Sequence, residues 1–310
     1  MAKKYGWVCS GGGSKGSWAG GVSQFLCEKR NYSYFSASST GSLLMGLVAL
    51  KEFDKLKTAY TSVTNDDIYK ISPYKIKSMN NGVIKTKMNI LNIFYNIVIR
   101  KKKTFGDSTN LRKKLLPKFF TEEDFDNIKN SNKELLIALT NLTLGTSEIK
   151  SSHDCNYTDY LDWVFGSTCA VPFMSIMRKN NYEYCDGGYT RFMPIQTLID
   201  KGCTEIDVIN LKQNTPSIEI IRNPFHLINR LIDVVHTEQI NATLELTQLK
   251  AKKKDVIINI YSPDDVLTNN SLIFNKKIMT KWWEDGYEFA KEKNFEKWKI
   301  SKEGDIEQIN

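Results

Sequence analysis

A glycine-rich turn held between two apolar segments restricts this chain most. Tyr5-Gly6-Trp7-Val8-Cys9 reads as a buried strand, Ser10-Gly11-Gly12-Gly13-Ser14-Lys15-Gly16 as a tight loop, and Ser17 to Lys29 as a helix. A second strand-like run, Tyr32 to Ala37, leads into Ser38-Ser39-Thr40-Gly41, where another apolar helical segment begins. Strand, loop, helix, strand, sharp turn, helix is the pattern of a parallel sheet with crossover helices, and it predicts an α/β fold.

The loop itself admits three readings. Gly11-x-Gly13-x-x-Gly16 satisfies a dinucleotide fingerprint, but that fingerprint wants an acidic residue about 20 positions on. Ala37-Ser38-Ser39 ends the second strand there without one. A phosphate-binding P-loop needs Lys and then Ser or Thr after the second glycine, and Ser17-Trp18 stands there instead. The third reading is an anion hole, in which glycine backbones turn N–H groups toward one centre at a helix N-terminus. The turn after the second strand adds weight to the third. Ala37-Ser38-Ser39-Thr40-Gly41 has the form of a G-x-S-x-G nucleophile elbow with Ala37 in place of the first glycine. The plain alternative is a Ser-rich turn in which Ser39 or Thr40 caps a helix.

Elsewhere the chain reads as ordinary globular sequence, with 310 residues, 41% hydrophobic and 25% charged. No repeat or Gly/Ser/Pro linker divides it, so a single domain over 1–310 is expected: core motifs in 5–211, a helical and strand extension in 212–300 and a loose tail in 301–310. Strands are predicted within 135–144, 182–185, 205–211 and 256–261, and helices over 157–165, from Pro194, over 224–249 and over 274–293. The six cysteines are scattered, several in apolar runs, which predicts reduced buried thiols. No Cys/His spacing suits zinc, so neither a metal nor a cofactor is expected. The first strand follows Met1 to Lys4 directly, leaving no room for a signal peptide, and no run spans a bilayer. A cytoplasmic location, with peripheral membrane contact, is therefore expected.

The net charge of +8 gathers at Arg100-Lys101-Lys102-Lys103, Arg112-Lys113-Lys114 and Lys250 to Lys254. Solvated helix ends, anionic lipid and nucleic acid all fit such clusters. Met88 to Ile99 is broadly apolar, with Asn89, Asn92 and Asn96 on one helical face. Its periodicity favours core packing; an interfacial helix or a lid is the other reading.

Four motifs in order give the chain its resemblance. Gly11-Gly12-Gly13-Ser14-Lys15-Gly16 matches G-G-G-x-[KR]-G, and Ala37-Ser38-Ser39-Thr40-Gly41 matches the elbow except at Ala37. Ser167-Thr168-Cys169-Ala170-Val171-Pro172 is a small-residue segment ending in proline, and Asp186-Gly187-Gly188 matches D-G-[GA]. With these the chain resembles the patatin-like phospholipases. The resemblance implies a three-layer sandwich with a mainly parallel central sheet and helices on both faces. It also implies a serine acyl hydrolase with a Ser–Asp dyad: Ser39 as nucleophile, Asp186 as general base, and Gly11, Gly12 and Gly13 as an oxyanion hole. Lys15, Gly16, Ala37, Gly41, Gly187 and Gly188 would support the site. The substrate implied is a phospholipid or another acyl-ester lipid; the +8 charge and the Met88 to Ile99 segment add an expected contact with an anionic membrane surface, and no nucleic acid is expected. His153, His226 and His236 lie in no motif, so structural roles are expected for them. A catalytically weak or inactive lipid-binding protein is the alternative that Ala37 suggests, and a nucleotide-binding enzyme is the one that the loop alone suggests.

Overall fold

The computed structural model describes residues 3–78, 84–212, 220–251, 255–268, 270–292, 296–300 and 306–309. The basic run from Lys250 to Lys254 lies largely outside these residues. The strands are β1 (Tyr5–Cys9), β2 (Tyr32–Ala37), β3 (Tyr74–Ser78), β4 (Ile84–Met88), β5 (Glu134–Asn141), β6 (Thr146–Ser151), β7 (Met177–Lys179), β8 (Tyr182–Asp186), β9 (Glu205–Ile209), β10 (Ile257–Tyr261), β11 (Glu296–Ile300) and β12 (Ile306–Ile309). The α-helices are α1 (Gly16–Lys29), α2 (Thr40–Leu50), α3 (Phe53–Ser62), α4 (Asn65–Ile68), α5 (Ile90–Phe94), α6 (Leu116–Phe119), α7 (Glu122–Lys129), α8 (Tyr157–Ser167), α9 (Ile195–Asp200), α10 (Pro224–Ala251) and α11 (Lys276–Glu292).

The central sheet runs β12-β11-β10-β9-β1-β2-β5-β8-β7, with β6 paired to β5. Its heart, β10-β9-β1-β2-β5, is parallel, and the flanking strands are antiparallel. β1 and β5 are mainly apolar because both sheet faces are covered, and β9 is buried throughout, with its Glu205 and Asp207 paired to Arg30. One core, around Trp7, Phe35, Leu44 and Trp283, fills one face, and a smaller one, around Val8, Ile195, Leu198 and Ile206, fills the other. α1 packs unusually close on α11: a side chain at Gly21 would strike the Trp283 carbonyl at 1.9 Å, and one at Gly286 the Trp18 carbonyl at 2.2 Å. Helix backbones approach this tightly only where small residues meet.

The segment after β4 reverses the core-packing expectation. Among its apolar side chains Ile93 is buried, while Leu91, Phe94, Val98 and Ile99 are exposed. The asparagine face turns inward instead. Asn96 is fully buried and donates to the Thr104 carbonyl at 2.9 Å, and Asn92 donates to the Ser72 carbonyl at 2.9 Å. These loop carbonyls need donors more than the segment needs burial, and the apolar face is left in solvent. No helix among the described residues is long and apolar enough to cross a membrane.

Candidate active site

Parallel neighbours β1 and β2 end side by side, with Cys9 opposite Ala37. The glycine loop and the serine turn therefore leave the sheet together. α2 begins at Thr40, so the positive end of its dipole lies at Ser39. Ser39 has φ 50° and ψ −126°, a conformation that costs a non-glycine residue roughly 1–3 kcal/mol. Packing holds it there. The Ser39 N–H donates to Ser167 Oγ at 2.9 Å, and Ser167 Oγ lies 3.0 Å from Ser42 Oγ. Gly41 sits so near β1 that a side chain there would meet the Cys9 carbonyl at 2.5 Å.

The three serines of the turn separate by environment. Ser38 is fully buried and donates to the Phe192 carbonyl at 2.8 Å; Ser42 is buried and engaged as above. Only Ser39 lines the cavity.

Strand register brings Asp186 to it. Ala37 pairs with Ile137 on β5, and Leu139, two residues on, pairs with Asp186 on antiparallel β8. Asp186 thus stands level with the residue two past the end of β2, which is Ser39. The same segment that holds Ser39 holds Asp186, whose N–H donates to the Cys169 carbonyl at 3.0 Å. Asp186 is buried, and burial pushes its carboxyl up to about 6 from 3.8, opposed by hydrogen bonding from Ser39 and from the Gly188 N–H, the latter at 2.8 Å. Gly187 has no room for a side chain, which would strike the Ala138 carbonyl at 2.1 Å.

Opposite Ser39 lies the glycine loop. A side chain at Gly11 would meet Ser39 Cβ at 3.0 Å, and Gly13 has φ +53°. Among the described residues the N–H groups of Gly11, Gly12 and Gly13 have no hydrogen-bond partner, whereas the next N–H, that of Ser14, donates to the Ser271 carbonyl at 2.8 Å. Thr40 Oγ1 donates to the Gly13 carbonyl at 2.9 Å, tying the loop to the elbow. Gly16 lets α1 pass Thr40 and Tyr60 closely. Lys15 is half-buried rather than solvated, and its Nζ braces the loop by donating to the Leu211 carbonyl at 3.3 Å.

A cavity of about 220 Å³ opens from Ser39 and Asp186, walled on one side by Leu43, Leu47, Leu56, Leu111, Leu115 and Phe120. Its lining also carries the polar side chains of Lys15, Lys212, Asp233 and His236. Such a site suits a molecule with a long apolar part and one polar junction. Among the described residues no group of His, Cys, Asp and Glu could hold a metal ion.

Residues 7–199 match the patatin-like phospholipase family. The chain belongs to the patatin-like phospholipases. Lipid acyl hydrolysis is the general activity of that family. None of the curated proteins compared with the chain matches it. Among solved structures, VipD from Legionella pneumophila is similar in fold: TM-score 0.51 at 12% identity, over 94% of this chain and 66% of that one. The chain thus spans just under two thirds of that protein.

Ala37 is strand, fully buried and paired on both sides, to Cys9 and to Ile137. Ala37→Gly is expected to keep esterase turnover within about threefold and to lower stability by about 1 kcal/mol through backbone entropy. Turnover and a thermal melt on the same preparation check this; a hundredfold gain would mean that the methyl group obstructs the elbow.

His153 and His226 are peripheral, bonded to the Lys133 carbonyl and the Arg222 N–H. His236 is not peripheral. It enters the patatin-like site from α10, packed on Phe192 at 4.6 Å and Tyr189 at 5.9 Å, and burial lowers it to about 4, with repulsion from Lys212 adding to the effect. No motif marks it. Lys212 had a readable signal: it follows β9, and sites in parallel sheets gather beyond the carboxyl ends of strands.

Proposed function

We propose that the protein is a serine lipid acyl hydrolase that cleaves carboxylic esters of phospholipids or related lipids through Ser39 and Asp186. The observation that carries this reading is a strained serine lining a largely apolar cavity, beside a buried carboxyl raised toward neutrality. Asp186 accepts the Ser39 hydroxyl proton as Oγ bonds to the ester carbonyl carbon. The carbonyl electron pair moves onto oxygen, where the unpaired N–H groups of Gly11 to Gly13 receive it; one such donor contributes about 3 kcal/mol. The intermediate collapses, the C–O bond breaks, and the proton on Asp186 goes to the leaving alkoxide. Water then repeats the sequence on the acyl-serine, with Asp186 again taking a proton. A free aspartate is too weak a base for this, and burial makes Asp186 a stronger one. Incubation with phospholipid vesicles, with release of fatty acid as the readout, tests the activity. Fluorophosphonate labelling should place the adduct on Ser39; no fatty acid release together with no adduct would overturn the reading.

Contact with an anionic membrane surface is part of the proposal. Leu91, Phe94, Val98 and Ile99 offer an exposed apolar face, and Lys101 and Lys102 beside it have exposed side chains. Arg100 and Lys103 differ, being held by Asp107 at 2.7 Å and Glu183 at 2.9 Å. Replacing Lys101 and Lys102 by Gln is expected to weaken binding to anionic vesicles about thirtyfold, at about 1 kcal/mol per charge. Cleavage of a soluble short-chain ester should not change. Vesicle co-sedimentation decides it, and equal binding by the variant would remove this surface from the membrane contact.

A further inference from the structure

Besides Asp186, the cavity lining carries two lysines, Lys15 and Lys212, the Asp233 carboxylate and the His236 ring. Lys212 Nζ is paired with Asp233, reaching its carbonyl and, at 3.2 Å, its Oδ1. Among the described residues Lys15 Nζ has only the neutral Leu211 carbonyl as a partner and forms no ion pair. Burial lowers the proton affinity of both lysines, with Asp233 opposing the effect. His236 lines the same cavity. Its Nε2 is fully buried and has no hydrogen-bond partner among the described residues. It lies 3.4 Å from the point where a side chain at Gly188 would begin, and Asp186 Oδ1 lies 3.1 Å from the same point. A buried ring nitrogen without a partner is costly, and a surplus cation beside it is costly too, unless something that enters the cavity satisfies both.

We propose that Lys15, Lys212 and His236 form a subsite for a phosphate group, that of a phospholipid whose acyl ester lies at Ser39. This rests on the reading of the site as a lipid acyl hydrolase and names the part of the substrate that the apolar wall cannot recognise. Phosphate fits because its several oxygens accept from donors that arrive from different directions, and charge-assisted bonds to it are strong. In a glycerophospholipid only a few bonds separate the acyl ester from the phosphate, which matches a subsite in the same cavity as Ser39. Lys212 and His236 lie outside residues 7–199, so the family motifs do not supply them.

The test measures binding rather than turnover, in a Ser39→Ala background. A dialkyl ether phosphatidylcholine and the corresponding dialkyl ether glycerol are titrated in nonionic micelles, and inorganic phosphate is titrated alone and as a competitor. The ether phospholipid should bind at least about tenfold more tightly than the ether glycerol, and inorganic phosphate should compete. Lys212→Gln and His236→Phe should each cut that preference about tenfold, since hydrogen bonds to charged groups are the stronger class. Lys212→Arg and His236→Gln, which keep the charge or a donor, should retain most of it and guard against misfolding as the cause. Equal affinity for the two ethers without phosphate binding overturns the subsite. Phosphate binding without any phospholipid preference overturns the headgroup assignment. Absence of fatty acid release by the unmutated protein would count against the hydrolase reading and leave these affinities standing.

Discussion

Ser39→Ala is expected to leave a folded protein whose esterase turnover is lower by about four to six powers of ten, the range for removal of a nucleophile. The fold should survive because the contacts that shape the turn are made by the backbone and by other side chains. Ser167 Oγ accepts from the residue 39 N–H whatever its side chain, and Ser38 and Ser42 keep their own partners. Alanine in this φ/ψ region is no less strained than serine, so a small loss of stability, about 1 kcal/mol, is the most expected. Ser38→Ala is the control. It removes a buried hydrogen bond to the Phe192 carbonyl and should cost stability while retaining most turnover. Fatty acid release and thermal melts on both variants distinguish them. If Ser38→Ala is inactive and Ser39→Ala is not, the assignment of the nucleophile fails.

Asp186→Asn should abolish turnover by about four powers of ten, because the amide cannot take the serine proton. It should also stabilise the protein at alkaline pH. The folded carboxyl titrates at about 6 and the unfolded one near 3.8, so between these values the folded state holds the extra proton. Stability therefore falls as pH rises through that window, and the full cost of the buried carboxylate is present above about 6. Asn removes that cost, a gain of about 1–3 kcal/mol at pH 8 and little at pH 4. In the unmutated protein kcat/KM should climb through an acid limb near pH 6, since the carboxylate is the form that accepts a proton. Denaturant melts at the two pH values and a pH–rate profile check both signs. An Asp186→Asn protein that is less stable at pH 8, or a rate that does not vary between pH 5 and 7, would mean that Asp186 is held as an anion in the folded protein.

How far the sequence reached depends on how local each feature is. The glycine loop, the serine turn and the Asp-Gly-Gly turn each lie within a few residues of chain. Backbone rules for tight turns constrain their composition, and so they were readable. The alternation of strand and helix from Tyr5 to Leu50 gave the parallel sheet for the same reason. Met88 to Ile99 misled because periodicity reports that a segment has two faces, not which of them the rest of the molecule covers. Buried Asn96, bonded to the Thr104 carbonyl, settled that, and the partner is not visible in the pattern.

The sequence by itself determined the family, the α/β class and the identity of the serine and aspartate to be weighed. Those depend on motif spacing and on turns that only certain residues make. The tertiary structure alone decided that Asp186 stands level with Ser39, because strand register through β5 is a long-range fact. It alone brought Ser167, at a helix end, to the Ser39 N–H, and Lys212 and His236, from a loop after β9 and a long helix with no motif, to the cavity. Pairwise contacts across such distances follow from packing of the whole chain, and no local spacing encodes them.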